Sequence, residues 1–132
     1  VHVAERLART GVRWERRLEP AALAAALDAS RALLLPSASE GLPRVVIEAF
    51  LRGRAVVGAR AGGIPDIIQH DRNGLLVEAG DARGLADAIE RVLFEDGLAE
   101  RLGASAYEDA PRWLSTPDEY ADRVLAVVQS VL

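Results

Sequence analysis

Residues 36–49 read Pro36-Ser37-Ala38-Ser39-Glu40-Gly41-Leu42-Pro43-Arg44-Val45-Val46-Ile47-Glu48-Ala49. Just before them, Ala32-Leu33-Leu34-Leu35 is a short apolar run stopped by Pro36, the pattern of a buried strand. The loop that follows is built of small and polar residues, and Pro43 at a first helical turn starts a helix through about Arg52, ended by Gly53. Strand, small loop and helix in that order leave the backbone amides of Gly41, Leu42, Arg44 and Val45 facing outward at a helix start, with Gly41 permitting close approach. Such a start suits an anion, and a diphosphate in particular. Two carboxylates beside such a cradle, Glu40 and Glu48, would not bind phosphate; they would accept hydrogen bonds from the hydroxyls of a sugar or a ribose. Spacing alone favours a plainer use of Glu48. Arg44, Glu48 and Arg52 fall at i, i+4 and i+8, so the glutamate can pair with arginines on a solvated helix face.

Outward from this stretch the chain alternates helical and strand-like segments. Residues 2–10 have apolar positions at helical spacing and stop at Gly11, and Val12 to Trp14 read as a short strand. Pro20 opens an alanine-rich helix through Ser30. Beyond the central stretch, Ala55 to Gly58 form a buried strand, Gly62 and Gly63 precede a short helix from Pro65 to Gln69, and Asn73-Gly74 turn into a fourth strand, Leu75 to Val77. Asp66 belongs to the first turn of the short helix, where its charge suits the helix dipole. His70 falls in a polar loop and is expected to be solvated, with no catalytic part. Asn73-Gly74 is expected to be a turn only. Asp81 caps a helix over 82–95 whose inner face has Leu85, Ala88, Ile89, Val92 and Leu93. Helices near 97–109 and 117–132 complete the chain, the last with an apolar stripe at Tyr120, Val124, Val127 and Val131. The fold class is therefore α/β: βαβ units with a parallel sheet covered on both faces, whose ligands bind beyond the carboxyl ends of the strands.

Composition narrows the function classes. The chain has 132 residues, half of them hydrophobic and 27% charged, with a net charge of −4. That is one domain with a sizeable core. It contains no cysteine, so disulfides, thiolate metal sites and cysteine nucleophiles are excluded. Two histidines, His2 and His70, make a zinc site improbable, and no metal is expected. All 16 basic residues are arginine and none cluster, which argues against nucleic acid. No apolar run approaches the roughly 20 residues that span a bilayer, and no signal segment opens the chain, so a cytoplasmic location is expected.

The motifs Pro36 to Ala49, then Ala55 to Ile68 with its Gly62-Gly63-Ile64-Pro65-Asp66, then Asn73 to Asp81, together resemble the C-terminal half of retaining GT-B glycosyltransferases, especially glycosyltransferase family 4 (glycosyl transferases group 1). Two glutamates separated by seven residues are that family's signature, and Glu40 and Glu48 match the spacing. The resemblance covers essentially the whole chain and is densest from Leu33 to Asp81.

The resemblance implies a Rossmann-like, nucleotide-sugar-binding domain over residues 1–132. It implies a donor site in which Glu40 is the catalytic-site carboxylate touching the transferred sugar, and Glu48 holds the ribose. Backbone at Gly41, Leu42 and the residues after Pro43, with Arg44, holds the distal phosphate, and Ser37 shapes the pocket. Gly62 and Gly63 belong to the same donor-binding set, although a tight turn packed on the following helix is an equal reading of that pair. The implied substrate is a UDP-, GDP- or ADP-sugar with no cofactor. The acceptor is a glycan, lipid or small molecule bound mainly by an N-terminal half, with peripheral association at the inner membrane face as a further expectation.

The chain departs from the family pattern at Arg16 or Arg17, where a glycine is usual near the nucleobase pocket, and at Arg31, where an acidic residue is usual. The family's basic phosphate-binding pair and first strand would precede Val1. The chain is thus expected to be an N-terminally truncated donor-binding piece, inactive in transfer alone. An open sheet edge would make it prone to association, and helix 117–132 would pack on this domain or on the absent half. Two other readings share the fold: a sugar-nucleotide epimerase or phosphorylase, and a non-catalytic Rossmann-like binding module with Glu40 and Glu48 as surface charges.

Overall fold

The computed structural model describes residues 10–131. The proline-started alanine-rich segment forms α1 (Pro20–Ala29), and the apolar run ending at Pro36 forms β1 (Ala32–Leu35). These are followed by α2 (Arg44–Phe50), β2 (Ala55–Ala59), the short α3 (Ile64–Ile67) and β3 (Leu75–Val77). Then come α4 (Ala82–Phe94), α5 (Leu98–Asp109), a 3-10 turn (Ala110–Trp113) and α6 (Pro117–Ser130). The strands form a parallel sheet in the order β1-β2-β3, with Leu33 beside Val56 and Val57 beside Leu75. This is the Rossmann-like α/β arrangement that the alternation of segments predicts.

The central strand is buried on both sides. All five residues of β2 are buried. Its side chains alternate between two cores, as a period of two requires. Val56 joins Phe50, Val46, Ile64, Ile67 and Ile68 on one face. Ala55 and Val57 join Leu75, Val92, Leu98 and Leu102 on the other. The helices that supply these residues have their starts fixed locally: Asp81 accepts a hydrogen bond from the Gly84 N–H at 2.9 Å, and Thr116 and Glu119 form a capping box on α6.

Five expectations need correction. The run Ala32–Leu35 is a strand but is not buried: it lies at the edge of the sheet, and Leu34 is 42% exposed. Val12 to Trp14 is not a strand, so the sheet has three strands among the described residues. Both apolar side chains there are about half exposed, at 48% and 51%. Flanked by Arg13, Glu15, Arg16 and Arg17, this segment offers too little apolar surface for a parallel strand, which must be covered on two faces. In α4, Ala88 and Val92 are buried but Leu93 is exposed, because it falls past the inward arc of the helix. Asn73-Gly74 is a turn and more: Asn73 is 1% exposed, and its side chain ties three segments together. His70 is exposed at its rim, yet its Nδ1 accepts from the Leu76 N–H at 2.9 Å, so the ring fills a backbone position along the outer edge of β3. The proposed helix over residues 2–10 lies outside the described residues. Helix α6 has no buried residue. No helix among the described residues is long and apolar enough to cross a membrane.

Candidate functional site

The carboxyl end of β1 turns at Pro36 into the loop that leads to α2. Ser37 Oγ donates to Glu40 Oε1 at 2.7 Å, a charge-assisted bond that fixes the carboxylate from one side. Among the described residues Glu40 has no ion pair, so its second oxygen and the remaining lone pairs are free to accept. Gly41 and Leu42 are exposed, Pro43 is buried, and Arg44 is exposed and unpaired among the described residues. Helix α2 begins with the Val46 N–H donating to the Pro43 carbonyl at 3.0 Å, which leaves the Arg44 and Val45 amides ahead of the ladder.

Glu48 lies on α2 where that helix faces α1 and the segment before it. There it lines a cavity of about 480 Å³ with Arg17, Leu18, Pro20, Leu23, Ala24, Leu27, Leu51 and Arg52. This volume is in the range of small-molecule sites, and the walls are mostly apolar with a few polar groups. The ion-paired face suggested by the i, i+4, i+8 spacing does not form. Arg52 is taken by Asp28 of α1, with Nη1 at 2.5 Å from Oδ2, and Arg44 pairs with nothing among the described residues. Glu48 is half-buried and makes no side-chain hydrogen bond or ion pair among the described residues. A carboxylate held in this way retains its full capacity to accept hydrogen bonds.

Gly62 and Gly63 do not line that cavity, and Gly63 caps the following helix, its carbonyl accepting from the Asp66 N–H at 3.3 Å. They lie on the loop before α2. The Gly63 N–H donates to the carbonyls of Glu40 and Gly41 at 3.2 and 3.0 Å. The fold therefore brings Ser37, Glu40, Gly41, Gly62 and Gly63 together at the strand ends, and places Glu48 separately in the cavity beside α1. Arg17, read as a departure near a nucleobase pocket, is on the wall of the cavity that Glu48 lines. The apolar wall of Leu18, Leu23, Leu27 and Leu51 was missed. Its only signal was the four-residue spacing of Leu23 and Leu27 within a run of alanines. Asp66 occupies the first turn of α3. Among the described residues no group of three or more His, Asp or Glu side chains is placed to hold a metal ion.

Comparison with known proteins bears on this site. The sequence profile described as "Glycosyl transferases group 1" matches residues 2–95. A D-inositol 3-phosphate glycosyltransferase of Nocardioides is 39% identical over 82 residues, which are 62% of this chain and 18% of that protein. The chain thus spans about a fifth of that relative's length. Sucrose-phosphate synthase of Thermosynechococcus elongatus superposes with a TM-score of 0.82 at 24% identity, covering 98% of this chain and 34% of the synthase. The Anabaena protein HepE, in its complex with UDP-glucose, superposes with a TM-score of 0.76 at 25% identity, covering 99% of this chain and 36% of HepE.

Proposed function

Because the chain belongs to the glycosyl transferases group 1 family, we propose that it is the donor-binding part of a retaining glycosyltransferase, which moves a sugar from a nucleoside-diphosphate sugar to an acceptor hydroxyl. The observation that carries this reading is Glu48: a half-buried carboxylate without a protein partner among the described residues, on the wall of a cavity of about 480 Å³. An acceptor left open on a cavity wall has its lone pairs available to a ligand donor. A ribose supplies two adjacent hydroxyl donors, and the leucine walls suit the flat apolar faces of a nucleobase.

The remaining roles follow from chemistry and placement. The diphosphate lies against the amides of Gly41, Leu42, Arg44 and Val45, with the Arg44 guanidinium as the nearby free cation. The charge that grows on the leaving diphosphate is stabilised by those fixed N–H dipoles. Glu40, braced by Ser37, accepts from the hydroxyls of the transferred sugar and sets its orientation toward the acceptor. No cofactor or metal enters this scheme. The acceptor is bound by a second half, which also covers the exposed apolar residues Tyr120, Val124 and Val127 of α6. UDP-glucose in the complex of the structural relative HepE supports a nucleotide-sugar donor here.

The test is calorimetric titration of the full-length protein with UDP-, GDP- and ADP-sugars, in the native form and as Glu48→Ala. One donor is expected to bind, and the variant to bind it at least about tenfold more weakly, the worth of a charge-assisted hydrogen bond pair. Equal binding by the two proteins removes the ribose role.

A further inference from the structure

Two consecutive glycines after β2 meet the loop after β1 at backbone distance. A Cβ placed on Gly62 would lie 1.8 Å from the carbonyl oxygen of Glu40, and one on Gly63 would lie 2.2 Å from that of Gly41. Neither distance is compatible with any side chain, and the atoms in the way are backbone. The contact is also bonded, through the Gly63 N–H to both carbonyls. By contrast, a Cβ on Gly41 itself would meet nothing within 4 Å. The constraint therefore acts on one side: the turn after β2 supports the peptide of Glu40 from beneath while the far side of the loop is open.

We propose that Gly62 and Gly63 are positioning residues for Glu40, acting through its backbone rather than touching the donor. The inference rests on the donor-site reading above and deepens it. Three fixed points hold the Glu40 carboxylate: the Gly62 backbone packed against its peptide, the Gly63 N–H on its carbonyl, and the Ser37 hydroxyl on Oε1. The contact acts on the sugar and phosphate end of the donor and not on the nucleoside, because Glu48 and its cavity belong to other segments.

The test uses the full-length protein as Gly62→Ala, Glu40→Ala and the double variant. In Gly62→Ala, amide exchange across residues 37–44 is expected to accelerate while that of α5 is unchanged. Transfer at saturating donor is expected to fall on the order of 100-fold, the usual result of displacing a reacting group by about 1 Å. Affinity for the free nucleoside, which meets Glu48 and its cavity and not the 37–44 loop, is expected to stay within about threefold. In the Glu40→Ala background the glycine change is expected to cost no more than about threefold further, because a residue that acts through another has nothing left to act on.

Gly97→Ala controls for backbone strain. Gly97 has φ +71°, comparable with +52° at Gly62, but a Cβ there meets nothing within 4 Å. Its transfer rate is expected to be unchanged. Should Gly62→Ala fail to fold, Gly63→Ala intrudes on the next peptide of the same loop, 2.2 Å from the Gly41 carbonyl oxygen, at a φ of −82°, where alanine has no backbone penalty, and is read the same way. Losses that multiply in the double variant, or unaltered exchange over 37–44, overturn the positioning role and leave the donor reading in place. Undiminished transfer by Glu40→Ala overturns the donor reading and the proposal with it.

Discussion

Two carboxylate-bearing regions of this molecule are built on opposite plans. Asp109, at the end of α5, is 6% exposed and fully committed. It accepts from Arg72 at 2.5 and 2.9 Å and from Asn73 Nδ2 at 2.8 Å, with Arg112 at 3.6 Å. Asn73 in turn donates to the Ile67 carbonyl and accepts from the Gln69 N–H, so one cluster locks the α3–β3 connection to α5. The Glu40 and Glu48 region leaves its carboxylates under-satisfied. Glu40 has Ser37 alone and Glu48 has no side-chain partner among the described residues. On the function proposed above, the difference separates structural from functional charge. A buried acid with both oxygens hydrogen-bonded contributes to the fold, whereas an acid left with free acceptor capacity is available to a ligand.

That contrast can be broken in four ways. The largest effect is expected from Asp109→Ala, which leaves the buried Asn73 amide with the Ile67 carbonyl as its remaining acceptor and Arg72 without its partner. Chemical denaturation should show a loss of about 3 kcal/mol, toward the low end for a broken buried pair because Arg72 keeps roughly half its side chain in water. Glu40→Ala should do the reverse. Unfolding should change by less than about 1 kcal/mol, while transfer by the full-length protein falls about 100-fold, equivalent to ~2.7 kcal/mol of transition-state stabilisation. A stability loss as large as that of Asp109→Ala would erase the distinction.

Gly103→Ala sharpens it from another side. Alanine normally stabilises a helix interior relative to glycine by about 1 kcal/mol. Here the added Cβ would lie 2.1 Å from the Gly53 carbonyl oxygen, so α5 must move off the turn after α2. The expected outcome is a destabilisation of about 2 kcal/mol by thermal or urea melting, with donor affinity retained. In contrast to the role proposed for Gly62, this glycine packs α5 against the turn after α2. The smallest effect is expected from Thr116→Ala, which removes one half of the α6 capping box. About 1 kcal/mol of helix stability should be lost, seen as reduced far-ultraviolet ellipticity with no change at Glu40 or Glu48.

Most of this architecture was legible because it is periodic. Three apolar runs stopped by proline, glycine or a charged turn gave β1, β2 and β3, and Asp81 marked the start of α4. Val12 to Trp14 misled because a three-residue apolar alternation carries no statement about what would cover it. The pair of glutamates was legible from its spacing and its neighbours. Their freedom was not, since Arg52 sits four residues from Glu48 in sequence and still turns to Asp28 of another helix. The Asn73–Asp109 cluster was invisible for the same reason: its partners are 36 residues apart, and only the packing of α5 on the sheet brings them together. Gly62 and Gly63 showed that something small was required there, but not that the thing approached was the peptide of Glu40.

Helix α6 carries a consequence for how the molecule comes apart. It has 14 residues, a complete N-terminal capping box and no buried side chain. At that length an unpacked helix is near the limit of independent stability in water, where nucleation is costly and the ends fray. Its hydrogen-bond ladder is thus coupled to its own cap and not to the two cores around β2. On heating, α6 should melt ahead of the sheet as a separate unit, and its amide protons should exchange through local opening rather than global unfolding. The chain then has two melting events in its helical signal but one in its core, and the gap between them reads out directly how much a partner laid along Tyr120, Val124 and Val127 adds to the whole.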